Sequence, residues 1–132
     1  MREKKTFASG LAHIVLPASQ DASDAIVNPG KYADTAVPTL IKGLLVNEGA
    51  VERIKAKLVG GARVLSNGGF DGSKNVENTR NQLAKRGVEV IAEDVGQTYG
   101  RSMRFDTSNG AIQVRRFQQR NGITELKDII VI

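Results

Sequence analysis

Two hydrophobic periods alternate along the chain. Leu11–Leu16 is a short run rich in branched apolar side chains, ended by Pro17, which predicts a buried strand. Val37, Leu40, Ile41, Leu44 and Leu45 recur at helical spacing and predict a helix from Tyr32 or Asp34 to Asn47, closed by Glu48-Gly49. Pro38 lies inside that span, so either the helix starts late, with Asp34 or Thr35 as its cap, or it kinks. Ile54, Ala56 and Leu58 alternate with Lys55 and Lys57, which predicts a half-buried strand over Arg53–Val59. Val76, Thr79 or Arg80, and Leu83 mark the narrow inner face of a second helix over Ser73–Arg86, stopped by Gly87.

The C-terminal third reads as sheet. Val88–Ala92 is a predicted strand, Gly96–Gly100 a loop, and Ser102–Asp106 with Ala111–Phe117 a hairpin around Thr107–Gly110. Asn121-Gly122 is a further turn signal, and Leu126–Ile132 a last strand. Ala18–Lys31 is a polar loop punctuated by Asn28-Pro29-Gly30. Two glycine-rich stretches stand out. Gly60-Gly61 follows a strand and either forms a turn or bulge or lines a site. Ser66–Gly72, SNGGFDG, lacks the Gly-Lys-Ser/Thr that a phosphate loop requires. The order strand, helix, strand, helix, then strands predicts an α+β fold, with helices packed on a mixed or antiparallel sheet.

Composition narrows the chemistry. The 132 residues suffice for one domain with a single core. There is no cysteine, which removes disulfides, thiolate metal sites and thiol catalysis within these residues. A single histidine excludes a histidine-rich metal site, and no cofactor motif is present. No apolar run reaches the roughly 18 residues of a membrane helix, and MREKKTF lacks the apolar stretch of a signal peptide. No membrane insertion and a cytoplasmic location are expected. The net charge of +5 includes Arg2, Lys4, Lys5, Arg101, Arg104, Arg115, Arg116 and Arg120. These fit a solvated, slightly basic surface. They are not grouped as in a recognition helix, and with no Trp and 5% aromatics no nucleic-acid partner is expected.

The candidate reactive groups are few. His13, in GLAHIVLP, is either a catalytic base or a packed strand residue. A base needs a partner within hydrogen-bond reach, and Ser9 and Thr6 are the nearest hydroxyls in sequence. Glu93-Asp94 is an acidic pair suited either to acid/base work or to an ordinary strand terminus. Arg101, after Tyr99-Gly100, can present a guanidinium to an anion or a carbonyl, or lie in a solvated turn.

Taken together, GLAHIVLP (10–17), PGKYADTAVPTLI (29–41), KAKLVGGARVL (55–65), DGSKNVENTRNQL (71–83) and AEDVGQTYGRSMRFDTSNGAIQVRR (92–116) resemble the CheD family of chemoreceptor glutamine deamidases. The resemblance spans nearly the whole chain. It implies a protein-glutamine glutaminase that hydrolyses receptor glutamine side chains to glutamate with release of ammonia. It implies an α+β sandwich related to bacterial glutamine-deamidating toxins. Methyl-accepting chemoreceptors are the implied partners, and in some members a CheC-type phosphatase as well. The family chemistry is of Cys-His type: a thiolate attacks the carboxamide carbon, ammonia leaves, and water resolves the thioester.

By the same resemblance His13 is the catalytic histidine. Gly60, Gly61, Asn75, Glu93, Asp94, Gly100 and Arg101 match recurrent positions, with Arg101, Asn75, Gly60 and Gly61 as substrate or partner contacts and the glycines also as backbone requirements. Lys74, where the family tends to have arginine, and Pro38 are departures. The family cysteine, in a Gly-Ser-Cys stretch on the strand before the histidine strand, has no counterpart, and Ser9 does not occupy its position. The single CheD-like domain, residues 1–132, is therefore expected to start mid-domain with its first strands missing. These 132 residues alone are expected to be inactive. The alternative is a non-catalytic binding module for a CheC-type phosphatase or for receptor helices.

Overall fold

The computed structural model describes residues 1–64 and 70–132; residues 65–69, and with them most of the SNGGFDG loop, lie outside the described residues. The fold is α+β. Strands β1 (Arg2–Glu3), β2 (Ile54–Gly60) and β5 (Glu89–Val95) form one sheet in the order β1-β2-β5. β1 runs antiparallel to β2, and β2 runs parallel to β5, so this sheet is mixed. β3 (Arg63–Val64) and β4 (Phe70–Asp71) make a short antiparallel pair. A second, fully antiparallel sheet holds β6 (Gly100–Phe105), β7 (Ile112–Arg120) and β8 (Ile123–Val131), in that order.

Helices α2 (Ala33–Leu44) and α3 (Ser73–Lys85) cover the first sheet. Val37, Ile41 and Leu44 of α2, Leu83 of α3, Ile54 and Ala56 of β2, and Val88 form the buried core. The predicted stripe on α2 is therefore real but rotated. Ala33 and Ala36 are buried with it, whereas Leu45 lies beyond the helix and is exposed. The parallel β2–β5 pair needs a crossover, and α3 supplies it. Gly87 ends α3 with φ 71°, its N–H donating to Ala84 O at 3.1 Å.

Two expectations are corrected, and the open choice of start for α2 is decided. Gly10–Val15 is not a buried strand. It has no regular structure, Leu16 alone bridges to Tyr32, and Leu11, Val15 and Leu16 are exposed. Among the described residues no strand lies alongside it, so its backbone is held by scattered bonds instead, such as Val15 N to Lys31 O at 2.8 Å. Ala18–Lys31 is not all loop. It contains α1 (Ala22–Val27), capped by Asp21 Oδ1 accepting from Ser23 N at 2.9 Å, and a 3-10 turn over Pro29–Lys31. Of the two expected starts, helix α2 takes the earlier, at Ala33 behind Tyr32 rather than at an Asp34 or Thr35 cap, so Pro38 sits in its second turn without a backbone donor for Asp34 O.

Candidate functional site

The end of β2 and the start of α3 frame one cleft. β2 delivers Lys57–Gly60 to its wall, α3 contributes Asn75, Val76 and Thr79, and the irregular segment Leu11–Ile14 forms its rim. Val95, Arg101 and Met103 complete a cavity of about 410 Å³. His13, Gly60, Gly61, Asn75 and Arg101, far apart in sequence, are thus brought to one cavity. The His13 side chain is exposed at the rim, and its imidazole makes no hydrogen bond with a described residue.

The glycines are required by geometry. Gly60 and Gly61 have φ of 122° and 64°, where side chains are disfavoured. A Cβ on Gly61 would also come 2.2 Å from Val76 Cγ2. Gly60 O accepts from Gly96 N at 2.9 Å, which ties the strand end to the loop after β5.

Asn75 acts on the histidine segment. Its Nδ2 donates to Val15 O at 2.7 Å, and one turn on, Asn78 Nδ2 donates to Pro17 O at 3.0 Å. Thr79 Oγ1 donates back to Asn75 O at 2.6 Å. Two side chains of α3 therefore replace the missing sheet ladder for the chain just after His13. Asn78 was not singled out by sequence reading. Its signal was its place one helical turn from Asn75 on the same face as Val76 and Thr79.

Arg101 lines the cavity but spends its guanidinium inward. Nε donates to Asp94 Oδ2 at 2.8 Å, and Nη1 donates to Gly96 O at 2.8 Å. Arg116 grips the same carboxylate, with Nη2 donating to Oδ1 at 2.7 Å. Burial alone would raise the pKa of Asp94; the hydrogen bonds from Arg116 and Arg101 outweigh it and hold the carboxyl below its usual range. The ring of Tyr99 lies under three cations, with Arg101 Cζ at 4.3 Å, Lys127 Nζ at 4.5 Å and Arg116 Cζ at 5.6 Å from its centroid. Glu93 accepts both arms of Arg80, at 2.8 and 2.7 Å, and its pKa too is lowered, chiefly by that bond. Both members of the acidic pair are thus held ionised by arginines. A pre-formed ion pair at each member leaves neither free as a general acid at neutral pH.

The hydroxyls near His13 in sequence point elsewhere. Ser9 Oγ donates to Phe7 O at 3.0 Å, and Thr6 Oγ1 accepts from Ala8 N at 3.3 Å. Neither residue lines the cavity. Lys57 does line it, from the polar side of β2, and donates to Gly110 O and Ile132 O, each at 2.8 Å. Among the described residues no group of His, Cys, Asp and Glu could hold a metal ion, and no helix is long and apolar enough to cross a membrane.

The class the structure defines is an α+β domain with a histidine at the mouth of a glycine-walled, largely apolar cleft. Comparison with known proteins places it more closely. The family model described as CheD chemotactic sensory transduction matches residues 15–116. The "Chemoreceptor glutamine deamidase CheD" of Thermotoga maritima is 38% identical over 117 residues, covering 88% of this chain and 73% of that protein. The "Probable chemoreceptor glutamine deamidase CheD" of Geobacillus kaustophilus is 38% identical over 127 residues, covering 92% and 74%. A protein of the same name from Methanococcus maripaludis strain C5 is 36% identical over 110 residues. The chain belongs to the CheD family.

Proposed function

We propose that this chain serves chemotaxis as a cytoplasmic chemoreceptor glutamine deamidase domain, in which His13 is the proton-handling base of a Cys–His pair. The observation that carries the reading is the convergence of His13, Gly60, Gly61, Asn75 and Arg101 on one cavity, in a chain 38% identical to a named chemoreceptor glutamine deamidase. The thiol is not among these 132 residues. In the family chemistry, the histidine accepts the thiol proton as sulfur bonds to the carboxamide carbon. That proton then leaves with ammonia, and water hydrolyses the thioester to glutamate. The exposed rim position of His13 suits a macromolecular substrate, whose glutamine side chain enters while its backbone stays outside. The sandwich shared with glutamine-deamidating toxins belongs to the same reading.

Ammonia release from a glutamine-bearing receptor cytoplasmic fragment tests it. The 132 residues alone are expected to be inert. The same domain together with a cysteine-bearing segment is expected to be active, and to lose activity as His13→Ala. Turnover by the 132 residues alone, unchanged in His13→Ala, overturns the proposal.

The lack of cysteine favours one second reading, a non-catalytic module that binds receptor helices or a CheC-type phosphatase. It predicts pull-down of such a partner with no ammonia released by any form of the protein.

A further inference from the structure

β8 forms one edge of its sheet. Among the described residues no strand pairs with its outer side, and it is nine residues long without proline. Ile123, Leu126, Ile129 and Val131 on this strand are all exposed. Such an edge is a template for another strand. We propose that it pairs with β8 of a second copy, antiparallel, to give a two-fold symmetric dimer with a continuous six-stranded sheet.

The occupant follows from the register inside the sheet. Ile112 and Ile132 exchange both backbone hydrogen bonds at 2.9 Å, so Ile129 and Val131 direct their backbone groups away from β7. At the other end Asn121-Gly122, with φ of 52° and 76°, forms a two-residue turn closed by Arg120 and Ile123. Thr124 and Leu126 therefore also direct theirs outward. Between these two stretches the register slips: Asp128 faces Arg116 but Leu126 faces Phe117, leaving Lys127 as a bulge.

This slip makes the edge self-complementary. With the two-fold axis between Lys127 and Asp128, Leu126 lies opposite the second copy's Ile129, and Thr124 opposite its Val131. In each pair both backbones point toward one another and both side chains lie on the same exposed face. At the axis no like charges are set against each other: Lys127 comes opposite the second copy's Asp128, while Asp128 keeps its own pair with Arg116 Nη1 at 3.5 Å and Lys127 its place over Tyr99. Without the bulge this pairing would set side chains on opposite faces against each other.

An edge-to-edge contact of this length is at the small end of dimer interfaces, so it is measured at high concentration, roughly 100 μM. Sedimentation equilibrium of the 132-residue chain is expected to give twice its 14.2 kDa. Ile129→Lys and Val131→Lys, both at exposed positions, are expected to give the single mass, with unchanged circular dichroism. Because the chain has no cysteine, the register is read directly. An equimolar mixture of Leu126→Cys and Ile129→Cys chains should form a disulfide-linked dimer on mild oxidation, at least five-fold more than either variant alone. A monomeric wild type overturns the proposal. So does a dimer that persists in both lysine variants, or cross-linking of Ile129→Cys alone at the level of the mixture.

Discussion

Asn75 Nδ2 donates to Val15 O at 2.7 Å, so helix α3 holds the segment that carries His13 by a side chain rather than by a sheet ladder. One such bond contributes about 1 kcal/mol. Asn75→Ala is expected to lower stability by about that amount. Its local effect should be larger. Amide exchange at Val15 and Leu16, whose N–H groups both donate to Lys31 O, should quicken well beyond the global change. Exchange that rises uniformly across the chain would show that Asn75 supports the fold at large and not this segment.

The wall of the cleft makes a sharper demand. Gly61 combines φ of 64° with a Cβ position 2.2 Å from Val76 Cγ2. Gly61→Ala should cost about 1–3 kcal/mol in urea unfolding. Adding Val76→Ala should recover part of that loss, because it removes the Cγ2 clash and leaves the backbone strain and a tight 3.1 Å approach to Gly72 O. A double variant no more stable than the sum of the two single changes would place the whole cost in the backbone.

These two residues also mark what was legible in the sequence. Gly60-Gly61 announced a backbone constraint because glycine pairs after a strand have few other uses. The α2 and α3 faces were legible from periodicity, since both helices bury a stripe against the sheet. The run Leu11–Leu16 misled for a physical reason. An apolar run reports what a segment would bury, not whether a neighbouring strand is there to bury it. Helix α1 gave no periodic signal because Ile26 and Val27 are 80% and 75% exposed. The Asp21 cap, with Ser23 and Asp24 behind it, was the only local clue. The Asp94–Arg101–Arg116 cluster joins three elements, and nothing in local sequence pairs these charges.

That cluster yields a stability prediction. Asp94 and Arg101 are nearly inaccessible, and Arg116 is mostly covered. Removing the carboxylate leaves two guanidiniums facing each other in a desolvated site. Asp94→Ala is expected to destabilise by about 3–5 kcal/mol, the range for breaking a buried pair from one side. Arg101→Ala should cost less than Asp94→Ala, because Arg116 still neutralises Asp94. The opposite ranking would mean that Arg101 acts mainly through its bond to Gly96 O.

The last prediction concerns acid. Glu3, the last residue of β1, is fully buried against the turn before the histidine segment. Its Oε2 accepts from Thr6 N at 2.5 Å and Lys5 N at 3.1 Å, and its Oε1 from Arg53 Nε at 2.5 Å. Burial works to raise its pKa; the bonds from Thr6, Arg53 and Lys5 outweigh it and lower the value from the usual 4.5 to about 2. In the unfolded chain the carboxyl takes up its proton first, so the unfolded state binds more protons in this window. The contribution of Glu3 is therefore complete above 4.5 and drains away as pH falls toward 2. Glu3→Gln should be less stable than wild type at neutral pH, and the two unfolding free energies should converge between roughly pH 4.5 and pH 2. Asp94 and Glu93, also lowered, leave both proteins with a remaining acid slope. A gap between wild type and Glu3→Gln that stays constant down to roughly pH 2.5 would mean that shape, not charge, is what Glu3 contributes to this turn.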